Sequence, residues 1–157
     1  MEHSEKTEKS VELATFYIGD ALFGMDILKV QEINKLMEMT KIPQASEYVK
    51  GILNLRGKII TIIDLGVKLG LASSDISDHS RNIIVNSEGE YVGLLVDRIG
   101  DVVLTNFDKV EPPPANIRGI QGKFFEGVYK TDNNLIGILN MREALKEDQQ
   151  QNEVLNA

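Results

Sequence analysis

The chain repeats itself. Setting Gly24 over Gly93, a shift of 69 residues, aligns Met25 with Leu94, Ile27 with Val96, Lys29 with Arg98, Val30 with Ile99, Glu32 with Asp101 and Ile33 with Val102. A second block matches at a shift of 76, placing Gly51-Ile52 over Gly127-Val128 and the run from Ile59 to Leu65 over the run from Leu135 to Met141. Neither block needs a gap. The seven-residue difference falls in the connector, which in the second copy contains Glu111-Pro112-Pro113-Pro114. In a chain of 157 residues, a motif encoded twice leaves room for two small related modules that share a surface.

Both modules read as β. Short runs rich in β-branched and aromatic residues span Leu13 to Ile18, Leu22 to Met25, Ile59 to Ile63, Asn82 to Val85, Tyr91 to Val96 and Leu135 to Leu139. Between them stand Gly19-Asp20, Arg56-Gly57, Glu88-Gly89 and Asp132-Asn133-Asn134, residues that tolerate the positive φ of tight turns, so four antiparallel hairpins are expected. Ile27, Val30, Ile33 and Leu36 recur every three residues, as on a helix face, but the second copy places Gly100 in mid-segment and favours strand. About five strands per module are too few to shield the edges of an open sheet, and closure into two small barrels packed side by side resolves this. Short helices are expected from Leu65 to Leu69 and from Asn140 to Lys146, the second capped by Asn140. The boundaries follow: a polar tail over 1–12, a first module over 13–71, a joint over 72–80, a second module over 81–146 and a second tail over 147–157.

Composition removes most chemistry. Lys+Arg 17 against Asp+Glu 24 gives a net charge of −7, which opposes the phosphate backbone of nucleic acid. There is no cysteine, so thiolate metal sites, disulfides and cysteine nucleophiles are excluded. His3 lies in the first tail and His79 in the joint, where Asp78-His79-Ser80 are chain neighbours and not a triad assembled by a fold. No calcium-loop spacing and no phosphate loop is present, and Glu88 and Glu90 sit on a hairpin tip where solvation accounts for them. No catalytic residue, metal or cofactor is expected. The polar start and the lack of a long apolar run point to a cytoplasmic protein without direct membrane insertion.

The two copies differ most at one hairpin tip, which is Arg56-Gly57-Lys58 in the first and Asp132-Asn133-Asn134 in the second. The backbone demand is the same in both, so the basic charge of the first is not needed for the turn and marks Arg56 as a candidate contact residue. Glu32 is a weaker candidate because Asp101 repeats its charge.

The run from Gly24 to Ile33, Ile42-Pro43, the run from Val49 to Leu65, Val92 to Asp97 and Asp101-Val102-Val103 together resemble the CheW family of bacterial chemotaxis coupling proteins. The resemblance implies two SH3-like five-stranded β-barrels with pseudo-twofold symmetry and a few short helices. It implies a non-catalytic adaptor that links the cytoplasmic tip of transmembrane chemoreceptors to the regulatory domain of the histidine kinase CheA in arrays, with the receptor hairpin in a groove between the modules. Carried onto matching positions, the receptor-facing residues are Val30, Glu32, Ile33, Gly51 and Arg56. Leu104, Val110 and Glu111 are the kinase-facing ones. A CheV-like protein, in which this domain is fused to a receiver, would need a further domain after Ala144. A small β-barrel enzyme would need two carboxylates in a pocket with separated pKa values, which no pair here offers.

Overall fold

The computed structural model describes residues 10–73 and 75–146. Strand β1 (Ser10–Ile18) turns at Gly19-Asp20 into β2 (Ala21–Asp26), and a three-residue 3-10 turn, Ile27–Lys29, leads to β3 (Val30–Lys35). Then come the hairpin of β4 (Val49–Leu55) and β5 (Lys58–Asp64), the helix α1 (Leu65–Lys68), and the hairpin of β6 (Arg81–Ser87) and β7 (Glu90–Val96). Beyond Asp97 lie β8 (Arg98–Ile99), β9 (Val103–Asn106), a small hairpin of β10 (Asn116–Ile117) and β11 (Ile120–Gln121), the hairpin of β12 (Phe125–Lys130) and β13 (Leu135–Leu139), and α2 (Met141–Ala144). All four expected hairpins are antiparallel with the expected turn residues. The segment with the period of three is a short 3-10 turn running into a strand, and the repeat partner of β3 is the interrupted strand β8/β9. Both short helices are present, with Asp64 Oδ1 accepting from Val67 N–H at 3.2 Å and Asn140 Oδ1 from Glu143 N–H at 3.2 Å.

Two sheets result. The middle sheet has the order β3-β6-β7-β5-β4; the end sheet has β12-β13-β2-β1, with both β8 and β9 pairing β1. The middle sheet is therefore built from residues 30–96 alone, and the end sheet from both flanks of the chain, 10–26 and 98–139. This corrects the expected boundaries: the sequence repeat divides at 72–80, the sheets at 27–29 and 97. The 3-10 turn Ile27–Lys29 and the single residue Asp97 form no hairpin here, and β3 and β8 pass directly onto the opposite sheet. Residues 10–12 also leave the expected tail, since they extend β1 against Leu104, Thr105 and Asn106. Residues 1–9 and 147–157 lie outside the described residues.

The crossing produces matched parallel pairs, Ile62 with Gly93 in the middle sheet and Ile138 with Gly24 in the end sheet. It also divides the apolar side chains into three groups. A central core between the sheets holds Phe16, Phe23, Met25, Ile83, Val85, Leu94 and Phe125. The interior of the middle sheet holds Leu53, Ile60, Ile62, Ile84 and Leu95, and that of the end sheet Leu13, Ile136 and Ile138. Phe23 stacks on Phe16 and on Phe125, with ring centroids 5.4 and 5.6 Å apart.

Each sheet joins its own edges through one two-bond bridge. In the middle sheet, Thr40 and Ile52 exchange N–H···O bonds of 2.8 Å in both directions. In the end sheet Glu111 and Val128 do the same at 2.9 and 2.8 Å. The residues before Ile52 and Val128 are the repeat-related Gly51 and Gly127, and a Cβ on Gly51 would lie 2.6 Å from the Thr40 carbonyl oxygen, one on Gly127 2.8 Å from that of Glu111. Glycine at these two positions lets the edges meet. Gly51→Ala and Gly127→Ala are each expected to destabilise the protein by about 1–3 kcal/mol, the usual cost of forcing extra volume into a packed site, as read by denaturant unfolding; wild-type midpoints would disprove the closure argument.

Candidate functional site

The hairpin tip that differs between the copies is built from local chemistry. Arg56 and Gly57 both take positive φ, 52° and 81°, as a two-residue type I′ turn requires, and Asn54 Oδ1 accepts from Gly57 N–H at 3.0 Å. Arg56 is thus held at the outermost point of the hairpin, its side chain 72% exposed. From there the guanidinium reaches Glu32 on β3, with Nη1 to Oε1 at 2.5 Å and Nη2 to Oε2 at 3.0 Å. This bidentate pair uses two of the five arginine donors and leaves the others toward solvent. Glu32 can meet it because of a bulge in β3. Val30 pairs with Val85, but Glu32 pairs with Ile84, so the bulge turns Glu32 to the interior side of the sheet, at its mouth.

The pair shifts both ionisations. Hydrogen bonding from Arg56 holds the Glu32 carboxyl below its ordinary value, and the same bond raises Arg56. At the neighbouring position on β5, Lys58 Nζ lies 3.0 Å from the Tyr91 hydroxyl and 4.2 Å from the ring centroid. The Lys58 hydrogen bond lowers the Tyr91 phenol.

The other receptor-facing candidates have different positions. Ile33 is 40% exposed on the outward side of β3. Val30 packs against the central core. Gly51 is buried and faces the Thr40 backbone, so its close approach is made inside the fold. A cleft of ≈ 1150 Å³ does open between the halves, lined by Tyr48, Val49, Ile63 and Tyr91 on one side and by Glu126 and Met141 on the other. None of the five candidates lines it.

Of the kinase-facing candidates, Leu104 is 66% exposed on β9. Val110 packs partly against the interior of the end sheet, and Glu111 makes the closing bridge and a 3.3 Å ion pair with Lys130. The structure does not gather these three into one surface. It adds Val102 and Phe107, both more than half exposed, to the apolar surface near Leu104. The alternation of Val102 and Leu104 was a readable signal for this; Phe107 follows the strand in a 3-10 turn and carried none. Among the described residues no group of three His, Cys, Asp or Glu is placed to hold a metal, and no helix is long and apolar enough to cross a membrane.

Comparison with known proteins agrees with this architecture. The family described as the CheW-like domain matches residues 12–149. The chemotaxis protein CheW of Treponema pallidum is 33% identical over 138 residues, 85% of this chain and 81% of that protein. The chemotaxis protein CheW of Helicobacter pylori is 28% identical over 92% of this chain and 87% of that protein. The crystal structure of the scaffolding protein TtCheW from Thermoanaerobacter tengcongensis matches with a TM-score of 0.81 and 37% identity, covering 88% of this chain and 89% of that one.

A carboxyl whose pKa is lowered by folding contributes stability in full above its unfolded value and loses it as pH falls through the lowered one. Both side chains reach solvent, so the contribution is small. By NMR the Glu32 carboxyl is expected to titrate below the other exposed glutamates and to return toward them in Arg56→Ala, while the difference in melting temperature between the two proteins vanishes at acid pH. Titration of Glu32 together with the other glutamates in the wild type would mean that the pair does not persist in solution.

Proposed function

The chain belongs to the CheW-like family, whose similar members are named chemotaxis and scaffolding proteins, and from that premise we propose that it couples the cytoplasmic tip of chemoreceptors to the regulatory domain of the histidine kinase CheA. It acts as a non-catalytic adaptor and is recruited to membrane-bound receptor arrays through these partners. The observation that carries the receptor half is Arg56. It is a permanently charged, planar donor at a hairpin apex, held by Glu32, with donors left over for a carboxylate or carbonyl on a partner helix. Ile33, 40% exposed on the other face of β3, supplies apolar surface. For the kinase half, the exposed Leu104, with Val102 and Phe107, offers an apolar surface of the kind that a second protein covers. Val110 and Glu111 would support that surface from the closing bridge.

An array makes each contact one of many, so two modest surfaces on a small protein suffice. Binding of the purified chain to a soluble receptor-tip fragment and, separately, to a CheA regulatory domain tests the reading directly. Arg56→Ala is expected to weaken the receptor fragment about tenfold, the loss of ~1.4 kcal/mol that a charged hydrogen bond supplies, with kinase binding unchanged. Leu104→Asp is expected to do the reverse. Glu32→Lys should also impair receptor binding. Binding of the wild type to neither partner would refute the adaptor reading.

A further inference from the structure

The interior of the middle sheet contains two polar side chains that the end sheet lacks. Asn34 on β3 pairs directly with Asn82 on β6. At the shift of 69 these positions become Val103 and Leu13, which pair with each other among the apolar interior side chains of the end sheet. Asn82 lies on the same face as Ile84, an interior residue, and opposite Leu95, another. It is fully buried, and neither its Nδ2 nor its Oδ1 has a hydrogen-bond partner. The fold does not need an amide there, since the other copy builds the same pairing from leucine and valine. An unsatisfied buried amide opposes folding and is retained where something other than stability requires it.

What adjoins it is the Glu32–Arg56 pair. In the amide orientation that satisfies its neighbours, Asn34 Nδ2 donates to Glu32 Oε2 at 3.1 Å and to the Ile33 carbonyl at 3.2 Å. Directly opposed residues on paired strands have Cβ atoms only about 4.5–5.5 Å apart, which places the Asn82 amide within reach of Asn34. Polar side chains therefore follow one another from Arg56 at solvent through Glu32 and Asn34 to Asn82 in the interior, hydrogen-bonded as far as Asn34 and in strand register beyond it.

We propose that Asn34 and Asn82 are positioning residues: they orient the Glu32 carboxylate, and through it the guanidinium that Arg56 presents to a receptor helix. Asn34 binds the carboxylate oxygen that also receives Nη2. Asn82 stands directly opposite Asn34 and sets an amide in place of an apolar side chain in a wall of leucine and isoleucine, so that Asn34 has a polar neighbour behind it without being held there by a hydrogen bond. With the carboxylate fixed at two points, the remaining arginine donors have one direction instead of several, and less side-chain freedom is lost on binding. The receptor half of this statement rests on the reading of Arg56 given above; the orientation of Glu32 does not.

Asn82→Leu and Asn34→Val, which bring in the residues found at the repeat-related positions, test it in the full chain. The melting temperature of Asn82→Leu is expected to rise, because an orphaned amide is removed. The Glu32 carboxyl, followed by NMR, is expected to titrate higher in both variants. Affinity for the soluble receptor-tip fragment is expected to fall about three- to tenfold, with no further fall when either change is added to Arg56→Ala. Wild-type Glu32 titration in a folded Asn82→Leu or Asn34→Val protein would overturn the proposal. If Arg56→Ala leaves receptor affinity intact, the receptor reading fails, and the Glu32 titration still decides whether the two asparagines position the carboxylate.

Discussion

The chain crosses between the two sheets at Ile27–Lys29 and at Asp97, and neither link forms a hairpin. Each strand that leaves one sheet there enters the other, and the rest of the fold is arranged around those crossings. Strand β2 lies on one sheet and β3 on the other, and the same holds for β7 and β8. The sheets are consequently held face to face, and the side chains between them form a core to which both contribute. Phe16, Phe23 and Phe125 stack there at 5.4 and 5.6 Å. Burying three phenylalanines is worth roughly 5–9 kcal/mol at about 1.5–3 kcal/mol each, comparable to the whole net stability of an ordinary domain. Neither sheet would be expected to persist without the other.

Closure of each sheet has a consequence for recognition. The Thr40–Ile52 and Glu111–Val128 bridges occupy backbone groups that an open edge would offer to another strand. At these bridges a partner meets occupied backbone groups and reads side chains. This directs attention to the places where side chains stand out from the sheets: Arg56 at a hairpin apex, Ile33 on the outward face of β3, and Leu104 with Val102 and Phe107 on the end sheet.

Duplication allowed the two halves to diverge where the fold was indifferent. In the end sheet the tip related to Arg56-Gly57 is closed by its own hydrogen bonds, Thr131 N–H to the Asn134 carbonyl at 2.8 Å and Asn134 N–H to Thr131 Oγ1 at 3.0 Å, and carries no basic residue. Among the described residues its interior carries no amide: the buried polar side chains on that face are Thr15 and Thr105, whose hydroxyls donate to the Asp101 and Val11 carbonyls. In the middle sheet the corresponding tip carries an arginine, the strand beneath it an ion-pair partner, and the interior two asparagines. The polar side chains of the end sheet are bonded to its own backbone, whereas those of the middle sheet lead to an exposed arginine, which is the pattern expected when one half of a duplicated fold keeps the structure and the other acquires a contact.

Local chemistry was legible in the sequence alone. Turn residues located all four hairpins, Asn140 located the start of the second helix, and the unequal tips singled out Arg56. The repeat showed that the architecture is used twice. Where the sheets divide was not legible, because any hairpin of a repeat fits either copy, and only the long-range pairing of β3 with β6 and of β8 and β9 with β1 assigns it. The partner of Arg56 also depended on tertiary structure. Glu32 is 24 positions away, and its repeat with Asp101 made it look ordinary until a bulge turned it toward the hairpin. Gly51 was read as a surface residue and proves to be a closing one, because what approaches a glycine is invisible in one dimension. The amides of Asn34 and Asn82 stand 48 positions apart and become neighbours through strand register. Register is decided by the packing of both faces of a sheet at once, which no short stretch of sequence contains.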